Sequence, residues 1–373
     1  MNILTITCHD VYNYGASLQA YALQFFLEKN GYDYKIIDYK PEYLSRKDHL
    51  FTIGPSSKYY DLYKLLGPFG FFLALYIHRK KIKFWRRKHA FDLFRLHYLK
   101  LTERYNSPSE IMRHPPIGDV YITGSDQVWN PEMPNGKDDV FFLAFVPEDR
   151  KRISYAASFG ITEIKDQQLK SHISTLLKEF DWISVRESSG VRLAKNLGIQ
   201  AVHVLDPVFL LSKQEWKTLL KNSDHLRCKY LLVYFLGEKN SSIEIEAKYI
   251  AKQKKLKIVS INDGNKQLAF ADININSAGP IDFLSLISNA DFVISTSFHA
   301  TAFSIIFERQ FFVFPIMGQN NQSRMTDLLD MLNLSERFIT TSKFSFSCID
   351  YAEVTTEMLH YSKMSKENLL ANI

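Results

Sequence analysis

His299 lies between two apolar runs of different character. The stretch DFVISTSFHATAFSIIF, Asp291 to Phe307, reads as a buried strand before the histidine and as a helix after it. Free backbone N–H groups and the positive end of a helix dipole meet at such a helix start, and both favour a phosphate or a carboxylate. Ser295, Thr296 and Ser297 add hydroxyl groups that can bind the same oxygens. A helix-capping Ser/Thr segment beside a hydrogen-bonded histidine explains the pattern equally well.

Arg186 occupies the equivalent position after another predicted strand. In the segment WISVRESSG it follows strand-forming residues, and Ser188 to Gly190 open a helix. A guanidinium at this place offers forked donors that suit a carboxylate or a phosphate. The alternative interpretation is a structural ion pair with Glu187 or with another nearby acid.

The segment YITGSDQVWNP ends a third predicted strand with polar residues. Asp126 is a candidate to accept a proton, Gln127 and Asn130 are candidates to contact hydroxyls, and Trp129 is a candidate to stack on a sugar ring. Ser125 is grouped with them as a substrate-binding residue. The same pattern also fits a turn that Asp126 caps and a Trp129 that is simply packed in the core.

Two further loops contain weaker candidates. Asn13, Tyr14 and Gly15 lie in the predicted first strand-to-helix loop, where one glycine falls short of the GxGxxG pattern of dinucleotide sites. Arg324 begins a predicted helix after the strand FFVFP and is a candidate to face the same cleft, although a solvated helix arginine is the default interpretation. We expect no metal site, because the sequence has neither HExxH nor a Cys/His set with zinc spacing.

These candidates share one predicted location, the carboxyl ends of parallel strands. NILTIT, the helix that follows NYGAS and the strand YKIIDYKP form a βαβ unit, which predicts a parallel sheet covered on both faces. A second α/β series begins near residue 229 with KYLLVYFLG. Open α/β sheets bind ligands beyond the carboxyl ends of their strands, so we expect the candidates in a cleft between the two sheets.

The predicted fold class is therefore α/β, with two Rossmann-like domains facing each other across a cleft. The chain has 373 residues, which is more than a single hydrophobic core usually holds together. We expect an N-terminal domain over residues 1–211, with a basic, aromatic and helical insertion near 44–115. We expect a C-terminal domain over residues 212–373 that ends in a helical tail, with the linker between Leu211 and Lys229.

The formal net charge of +6 fits an anionic small molecule, an anionic membrane surface or a scattered solvated face. Part of the excess lies in the segment from Lys64 to Phe91, which combines apolar residues with a dense basic cluster. We expect this segment either to lie on an anionic bilayer surface or to form a packed helical insertion. Nucleic acid is disfavoured as a partner, because no nucleic-acid-binding fold accompanies the basic cluster.

The cysteine usage and the apolar runs predict a cytoplasmic protein. Cys8, Cys228 and Cys348 are odd in number and widely spaced, which favours a reducing compartment. The start MNILTITCHD lacks the basic leader and long apolar centre of a secretory signal. No run approaches the roughly 20 apolar residues that a membrane span requires.

Taken together, the segments resemble the polysaccharide pyruvyl transferase family. They occur in order over nearly the whole chain, which makes the resemblance far more specific than any single segment. The resemblance implies a fold similar to two-domain GT-B glycosyltransferases and a reaction that moves the enolpyruvyl unit of phosphoenolpyruvate onto two sugar hydroxyls, forming a pyruvate ketal. The matching segments are NYGASLQAYAL, GSDQVWNP, YAASFG, ISVRESSG, VLDPVFLL, ADFVISTSFHATAFSIIF and SRMTDLL.

The resemblance also implies roles for individual residues. Arg186 and His299 match family positions that handle phosphoenolpyruvate, with no further cofactor. Some relatives carry an arginine where this chain has Ser297, so Arg324 is the candidate for the missing anion contact. His299 is the candidate general acid and Asp126 the candidate base.

The implied acceptor is a saccharide of a bacterial capsule or exopolysaccharide. The resemblance implies that this saccharide is a repeat unit linked to polyprenyl diphosphate, and that the protein meets it at the inner face of the plasma membrane. The first alternative is a GT-B-type glycosyltransferase that uses a nucleotide sugar. The second is a catalytically silent partner in polysaccharide assembly.

Overall fold

Two parallel β-sheets form the framework of the described chain. The computed structural model describes residues 1–44, 60–70, 72–73, 81–220, 226–237, 241–262, 267–316, 322–340 and 347–373. Over these residues, one sheet has seven strands and the other has five, and neighbouring strands within each sheet run parallel. This arrangement confirms the prediction of two Rossmann-like halves.

The first sheet has the strand order β3-β2-β1-β4-β5-β6-β7. Its central strands β1, β4 and β5 are mostly buried, as parallel sheets with helices on each side require, whereas the edge strands β3 and β7 are partly exposed. The direction of the strand order reverses between β1 and β4, where a doubly wound sheet opens a ligand crevice. The strands are β1 (Asn2–Ile6), β2 (Asp33–Tyr39), β3 (Leu101–Tyr105), β4 (Val120–Thr123), β5 (Lys151–Ala157), β6 (Trp182–Val185) and β7 (Val202–His203).

Helices pack on this sheet and connect its strands. The first of them is buried on most of its surface, and Gly31 with φ 85° follows its end, as predicted. The described helices of this half are α1 (Tyr14–Lys29), α2 (Tyr60–Leu65), α3 (Lys81–Tyr98), α4 (Pro108–Arg113), α5 (Gln167–Leu177) and α6 (Ser188–Asn196).

The second sheet has the order β10-β9-β8-β11-β12 and repeats the same architecture. Its strands are β8 (Tyr230–Tyr234), β9 (Lys257–Ile261), β10 (Ile273–Ile275), β11 (Phe292–Ser295) and β12 (Gln310–Val313). The described helices of this half are α7 (Lys213–Thr218), α8 (Ser241–Lys254), α9 (Pro280–Ser288), α10 (Phe298–Ile306), α11 (Ser323–Met331) and α12 (Tyr351–Ala371).

Parts of the organisation differ from the expectation. The region near 44–115 contains β3, an edge strand that pairs with β2, in addition to helices. The run AVHVLDPVFLL forms only the short strand β7 and then a 3₁₀ turn over Pro207–Leu210. Residues 45–59, 71 and 74–80 of the predicted insertion and 221–225 of the predicted linker lie outside the described residues. The domain boundary at residue 211 stays a prediction.

Aromatic side chains join the two halves. Tyr14 of α1 stacks on Phe283 of α9, with ring centroids 4.4 Å apart. Trp216 of α7 packs against Tyr21 of α1, with ring centroids 5.8 Å apart, and its indole N–H donates to the Val208 carbonyl at 2.9 Å. A large apolar area is therefore removed from water at the seam, which holds the strand ends of the two sheets in place.

Truncation of Trp216 tests how much this seam stabilises the fold. The side chain is 0% exposed, so we expect Trp216→Ala to lower the free energy of unfolding by about 3–5 kcal/mol. Trp85→Ala is the matched control, because the Trp85 side chain is half exposed and we expect less than about 0.5 kcal/mol. Urea unfolding followed by circular dichroism measures both. If both substitutions lowered the free energy of unfolding equally, the seam would not stabilise the fold as we expect.

Candidate active site

A buried carboxylate, Asp206, lies at the centre of the site. It follows β7 and is only 1% exposed. Its Oδ2 accepts hydrogen bonds from Arg186 Nη1 at 2.7 Å and Ser125 Oγ at 3.0 Å. The Nε2 atom of His299 lies 3.6 Å from the same oxygen, and Oδ1 accepts from the Val208 N–H at 3.1 Å. Arg186 and His299 therefore converge on one oxygen atom.

The charges around Asp206 decide its ionisation. Burial alone raises the pKa of this carboxyl, yet His299 and Arg186 outweigh burial and hold its pKa well below the ordinary value. Burial likewise opposes the charge on Arg186, but Asp206, Asp126 and Glu187 raise the pKa of that guanidinium. Asp206 and Arg186 thus form a buried ion pair.

Arg186 keeps two buried N–H groups without a hydrogen bond among the described residues. Its guanidinium lies over the Phe298 ring at 4.8 Å, and Nη2 lies 3.5 Å from Asp126 Oδ1. Nε and Nη2 are buried and have no hydrogen-bond partner among the described residues. The structure contains the ion pair of the alternative interpretation, but its partner is Asp206 and not Glu187, whose Oε1 accepts from Ser158 Oγ at 2.9 Å. Buried donors without partners are costly, which makes this guanidinium a candidate to bind an anion.

His299 lies in the first turn of α10, against the first turn of α1. Ser297 is the N-cap of α10, and its Oγ accepts from the Ala300 N–H at 3.4 Å. A Cβ atom on Gly15 would lie 1.9 Å from His299 Nδ1, so only glycine lets α1 approach the imidazole ring this closely. His299 Nε2 is buried and has no hydrogen-bond partner within the described part of the chain.

Arg324 brings a second guanidinium to the cleft from the start of α11. Burial and the nearby charge of Arg186 lower the pKa of Arg324 to about 10, against the opposing effect of the carboxylates. Gln127, with its amide oxygen turned toward Arg324, accepts from the two terminal nitrogens at 3.1 and 3.2 Å. The start of α11 is tied to α6 by Ser323 and Ser189, whose hydroxyl oxygens are 2.9 Å apart.

A cavity of about 170 Å³ lies between the two halves at these residues. Its volume suits a small ligand, and its wall combines a guanidinium, an imidazole and a carboxylate. Arg186 lies behind this wall, beneath Phe298 and Asp126. The polar residues on the wall are Asn13, Asp126, Gln127, Thr296, Ser297, His299, Gln322 and Arg324.

Asp126 adopts a backbone conformation that is uncommon for a residue other than glycine. Its φ is 76°, in the left-handed region that aspartate tolerates better than most residues. The turn is held by its carbonyl, which accepts from the Ser158 N–H at 3.0 Å, and by Oδ1, which accepts from the Gln127 N–H at 2.9 Å. The side chain remains 21% exposed and lies on the cavity wall.

Three candidates of the same turn do not face the cavity, which corrects the sequence interpretation. Trp129 is 0% exposed, stacks on Phe142 and donates to a backbone carbonyl, so it cannot stack on a sugar ring. Asn130 is buried, and its Oδ1 accepts from the Glu132 N–H at 3.0 Å. Ser125 is buried and donates to Asp206, so it supports the carboxylate and does not contact substrate.

Tyr14 and the hydroxyls before His299 need a similar correction. Tyr14 is buried in the seam and donates to the Ala278 carbonyl at 3.0 Å. Ser295 donates to the Tyr234 carbonyl at 2.6 Å, so its hydroxyl is already engaged. Thr296 lies on the cavity wall, but its hydroxyl accepts from the Leu236 N–H at 2.7 Å. Asn13 is the N-cap of α1 and remains exposed on the wall.

Asp206 is the central residue that the sequence interpretation missed. It stands in VLDPVFLL, a segment that contributes to the family resemblance, at the carboxyl end of β7. An acid directly after a parallel strand and before a proline was the available signal, because such strand ends face the ligand cleft.

Comparisons with known proteins agree with this architecture. The family model of the polysaccharide pyruvyl transferases matches residues 13–316, which is most of the chain. The solved UDP-GlcNAc 2-epimerase from Methanocaldococcus jannaschii is similar over 97% of this chain and 92% of its own, with a TM-score of 0.51 and 12% identity. The UDP-GlcNAc 2-epimerase from Neisseria meningitidis, solved with UDP-GlcNAc, is similar over 100% of this chain and 99% of its own, with a TM-score of 0.50 and 9% identity.

At these identities the structural likeness shows the fold alone. That fold is GT-B-like, with two Rossmann-like domains facing each other across a cleft, as the sequence predicted. A search of curated protein sequences gives no match.

The substitution Asp206→Asn tests the central ion pair. We expect the free energy of unfolding at pH 7 to fall by about 3 kcal/mol, because Arg186 then stays buried without its nearest counter-charge. The pKa of Asp206 is lowered in the folded protein, so its ionised form stabilises the fold above the ordinary aspartate value of roughly 4. That contribution is lost as the pH falls below this value, and the difference between wild type and variant should shrink in urea unfolding curves at successively lower pH.

Asp149→Asn is the control for this measurement. The Asp149 side chain is 74% exposed, so we expect this substitution to leave the free energy of unfolding unchanged at every pH of the series. A difference between wild type and Asp206→Asn that does not depend on pH would argue against an ionised Asp206.

Proposed function

Because the chain belongs to the polysaccharide pyruvyl transferase family, we propose that it transfers the enolpyruvyl unit of phosphoenolpyruvate to two hydroxyls of a saccharide acceptor. The product is a cyclic pyruvate ketal. We place the reaction in the synthesis of a bacterial capsular polysaccharide or exopolysaccharide, on a saccharide carried by a polyprenyl diphosphate.

The observation that carries this proposal is the convergence of cationic groups on one small cavity. Phosphoenolpyruvate has a phosphate and a carboxylate, so its site needs two separate positive features. Arg324 lies on the cavity wall, and Arg186 lies behind it with two donors that the described residues leave unpaired. His299 and the start of α10 add a third feature, since the N-terminus of a helix favours negative charge.

The proposed reaction begins with protonation of the methylene carbon of phosphoenolpyruvate. The cation that forms at C2 is attacked by the first sugar hydroxyl, which releases its proton to a base. The C2–O bond to phosphate then breaks, and the phosphate leaves with the bonding electrons. The second hydroxyl attacks C2 and loses its proton, which closes the ketal ring, so one phosphoenolpyruvate and one diol yield one ketal and one phosphate.

Two wall residues suit the proton transfers. His299 is the proposed acid, because its imidazole borders the cavity and has a buried carboxylate 3.6 Å from Nε2. Asp126 is the proposed base for the hydroxyls, since its carboxylate is exposed to the cavity from the opposite half of the molecule. The scheme needs no metal or further cofactor, because fixed guanidinium groups neutralise the developing charge.

The alternative of a nucleotide-sugar transferase makes a different demand on the site. Such enzymes commonly hold the ribose with a carboxylate from the C-terminal half. In the described part of the C-terminal half, no Asp or Glu lies on this cavity wall. Asp126, the carboxylate on this wall, comes from the N-terminal half, and the cavity volume of about 170 Å³ suits a small donor better than a nucleotide sugar.

The donor proposal is tested by incubation with phosphoenolpyruvate and a panel of lipid-linked sugars. We expect mass spectrometry to show pyruvate addition with release of one phosphate per ketal. Arg324→Gln should raise the KM for phosphoenolpyruvate roughly 10- to 100-fold, because it removes charge-assisted hydrogen bonds. Arg192→Gln is the matched control, since Arg192 is an exposed arginine on α6 that lines neither this cavity nor its neighbour.

The same assays separate the alternatives. A thermal shift with UDP-sugars and none with phosphoenolpyruvate would support the glycosyltransferase. Absence of turnover with every acceptor, together with absence of phosphoenolpyruvate binding, would support a silent partner.

Contact with an anionic membrane is proposed for the segment near α2 and α3. Among the described residues, no helix has both the length and the apolar character to cross a bilayer. Large apolar side chains are nevertheless exposed there, with Leu65 at 84% and Phe69 and Phe72 also exposed. Lys64 and Arg86 are exposed in the same segment. An apolar surface with adjacent cations suits the headgroup region of an anionic leaflet.

Vesicle sedimentation tests this contact. We expect binding to phosphatidylcholine vesicles only when they contain phosphatidylglycerol, with a decrease as salt is raised. The double substitution Leu65→Ser and Phe69→Ser should weaken binding by at least about tenfold, because it removes the exposed apolar groups. Leu359→Ser on α12 is the control, because Leu359 is an exposed leucine outside this segment. Equal binding to both vesicle types, or to neither, would refute electrostatic anchoring.

A further inference from the structure

A second and larger cavity adjoins the first. Its volume is about 640 Å³, within the roughly 300–1,000 Å³ of pockets that enclose small molecules. It lies at the carboxyl ends of β1, β2 and β3, which contribute Asp10, Lys40 and Arg104 respectively to its lining. We call it the β1–β3 pocket. The 170 Å³ cavity, in contrast, adjoins the carboxyl ends of β4 and β11.

The two cavities share part of their walls. Asn13, Asp126 and Gln127 line both of them. Asp126 therefore stands where a molecule in one cavity meets a molecule in the other. A residue that takes a proton from an acceptor hydroxyl must lie at such a junction, because it has to reach the hydroxyl while that hydroxyl approaches the donor carbon.

Ion pairs hold the charged side chains that line the β1–β3 pocket in place. Lys40 Nζ and Arg104 Nη2 both donate to Asp10 Oδ2, at 2.7 and 2.9 Å. Arg104 Nε also donates to Asp38 Oδ2 at 3.0 Å, and His9 Nε2 lies 3.1 Å from Asp38 Oδ1. Burial opposes ionisation of Asp38, yet His9 and Arg104 lower its pKa to about 2. Asp38 is thus ionised at neutral pH and stays paired with Arg104.

The cations of this region are already paired with carboxylates. Lys40 and Arg104 are bound to Asp10, and Lys88 donates to Asp92 at 2.7 Å. An anionic ligand in the pocket would have to compete with these carboxylates. The pocket therefore offers fixed donors and acceptors and does not offer an open site for an anion, which suits the hydroxyls of an uncharged ligand.

The rest of the lining matches a sugar ring. Asn13 and Asn106 are exposed and supply amide groups, which can both donate to hydroxyls and accept from them. The amides of Gln127 and Asn135 already bond to Arg324 and to two backbone carbonyls, respectively. The aromatic rings of Tyr12 and Tyr43 border the same space and provide apolar faces.

We propose that the β1–β3 pocket binds the saccharide acceptor as an uncharged pyranose, with the two hydroxyls to be bridged directed toward Asp126. This inference rests on the proposed pyruvyl transfer, because that reaction requires an acceptor beside the donor cavity. The charge network holds the sugar through its hydroxyls. Asp126 accepts the proton of the first attacking hydroxyl, passes it to the departing phosphate, and then accepts the proton of the second hydroxyl. The donor lies in the 170 Å³ cavity with Arg324 and His299.

The substitution Asn106→Trp tests the location. Asn106 is exposed on the rim of the β1–β3 pocket, outside the donor cavity, so an indole there should obstruct the sugar without disturbing the core. We expect saturation-transfer NMR with methyl glycosides of galactose, glucose, mannose and N-acetylglucosamine to show binding of at least one to the wild type. Asn106→Trp should weaken that binding at least tenfold and leave the thermal shift by phosphoenolpyruvate unchanged. Asn196→Trp, an exposed site at the far end of α6, is the matched control and should change neither.

Each result has a defined meaning. Failure of all four hexosides to bind the wild type, or equal binding by Asn106→Trp, would overturn the assigned location. Binding of methyl glucuronoside in preference to the neutral hexosides would overturn the assignment of an uncharged sugar. Hexoside binding that is sensitive to Asn106→Trp, without any response to phosphoenolpyruvate, would instead refute pyruvyl transfer and leave the sugar site standing.

Discussion

The interaction on which the site depends is the buried carboxylate of Asp206. It binds Arg186, which belongs to the same half of the molecule, and it faces His299, which the other half supplies. A charge in this position is tolerated only when it is well paired, since an unpaired buried ion costs several kcal/mol. Closure of the two halves and assembly of the site are therefore coupled through one oxygen atom, and the chain cannot place His299 correctly without also completing the surroundings of Asp206.

The closure also depends on the first turn of α1. Gly15 leaves room for the His299 ring, and the adjacent Tyr14 fills the seam between the halves. The resulting cavity places Arg324 near Arg186, and their mutual repulsion contributes to the lowered pKa of Arg324. Arg186 is paired with Asp206, so the charge that an anion in this cavity would meet directly is that of Arg324. In the proposed reaction this guanidinium is in place before the donor binds, which is the preorganised electrostatic stabilisation that enzymes use most.

The sequence was sufficient to predict the alternating strands and helices and the residues at strand ends, because both are local patterns. Arg186 and His299 were found in this way. Trp129 lies in the core and not in the cleft, because the chain after the turn at Asp126, with its positive φ, buries Val128 and Trp129 and leaves Gln127 on the cavity wall. Asp206 was missed because β7 is only two residues long and has no recognisable period. The edge strand β3 was missed for a related reason, since its sequence LTERY lacks the apolar run of a central strand.

The strand order explains why two cavities adjoin at this place. In the first sheet, β1 and β4 are neighbours, but the connections that follow them lead in opposite directions. Their carboxyl ends therefore open a crevice with one set of strands on each side. Asn13 follows β1 and Asp126 follows β4, and both residues line both cavities. A donor bound on the β4 side and an acceptor bound on the β1 side would then be separated only by the residues that must act on both. The topology of the sheet would in this way supply the proximity that a reaction between two bound molecules requires.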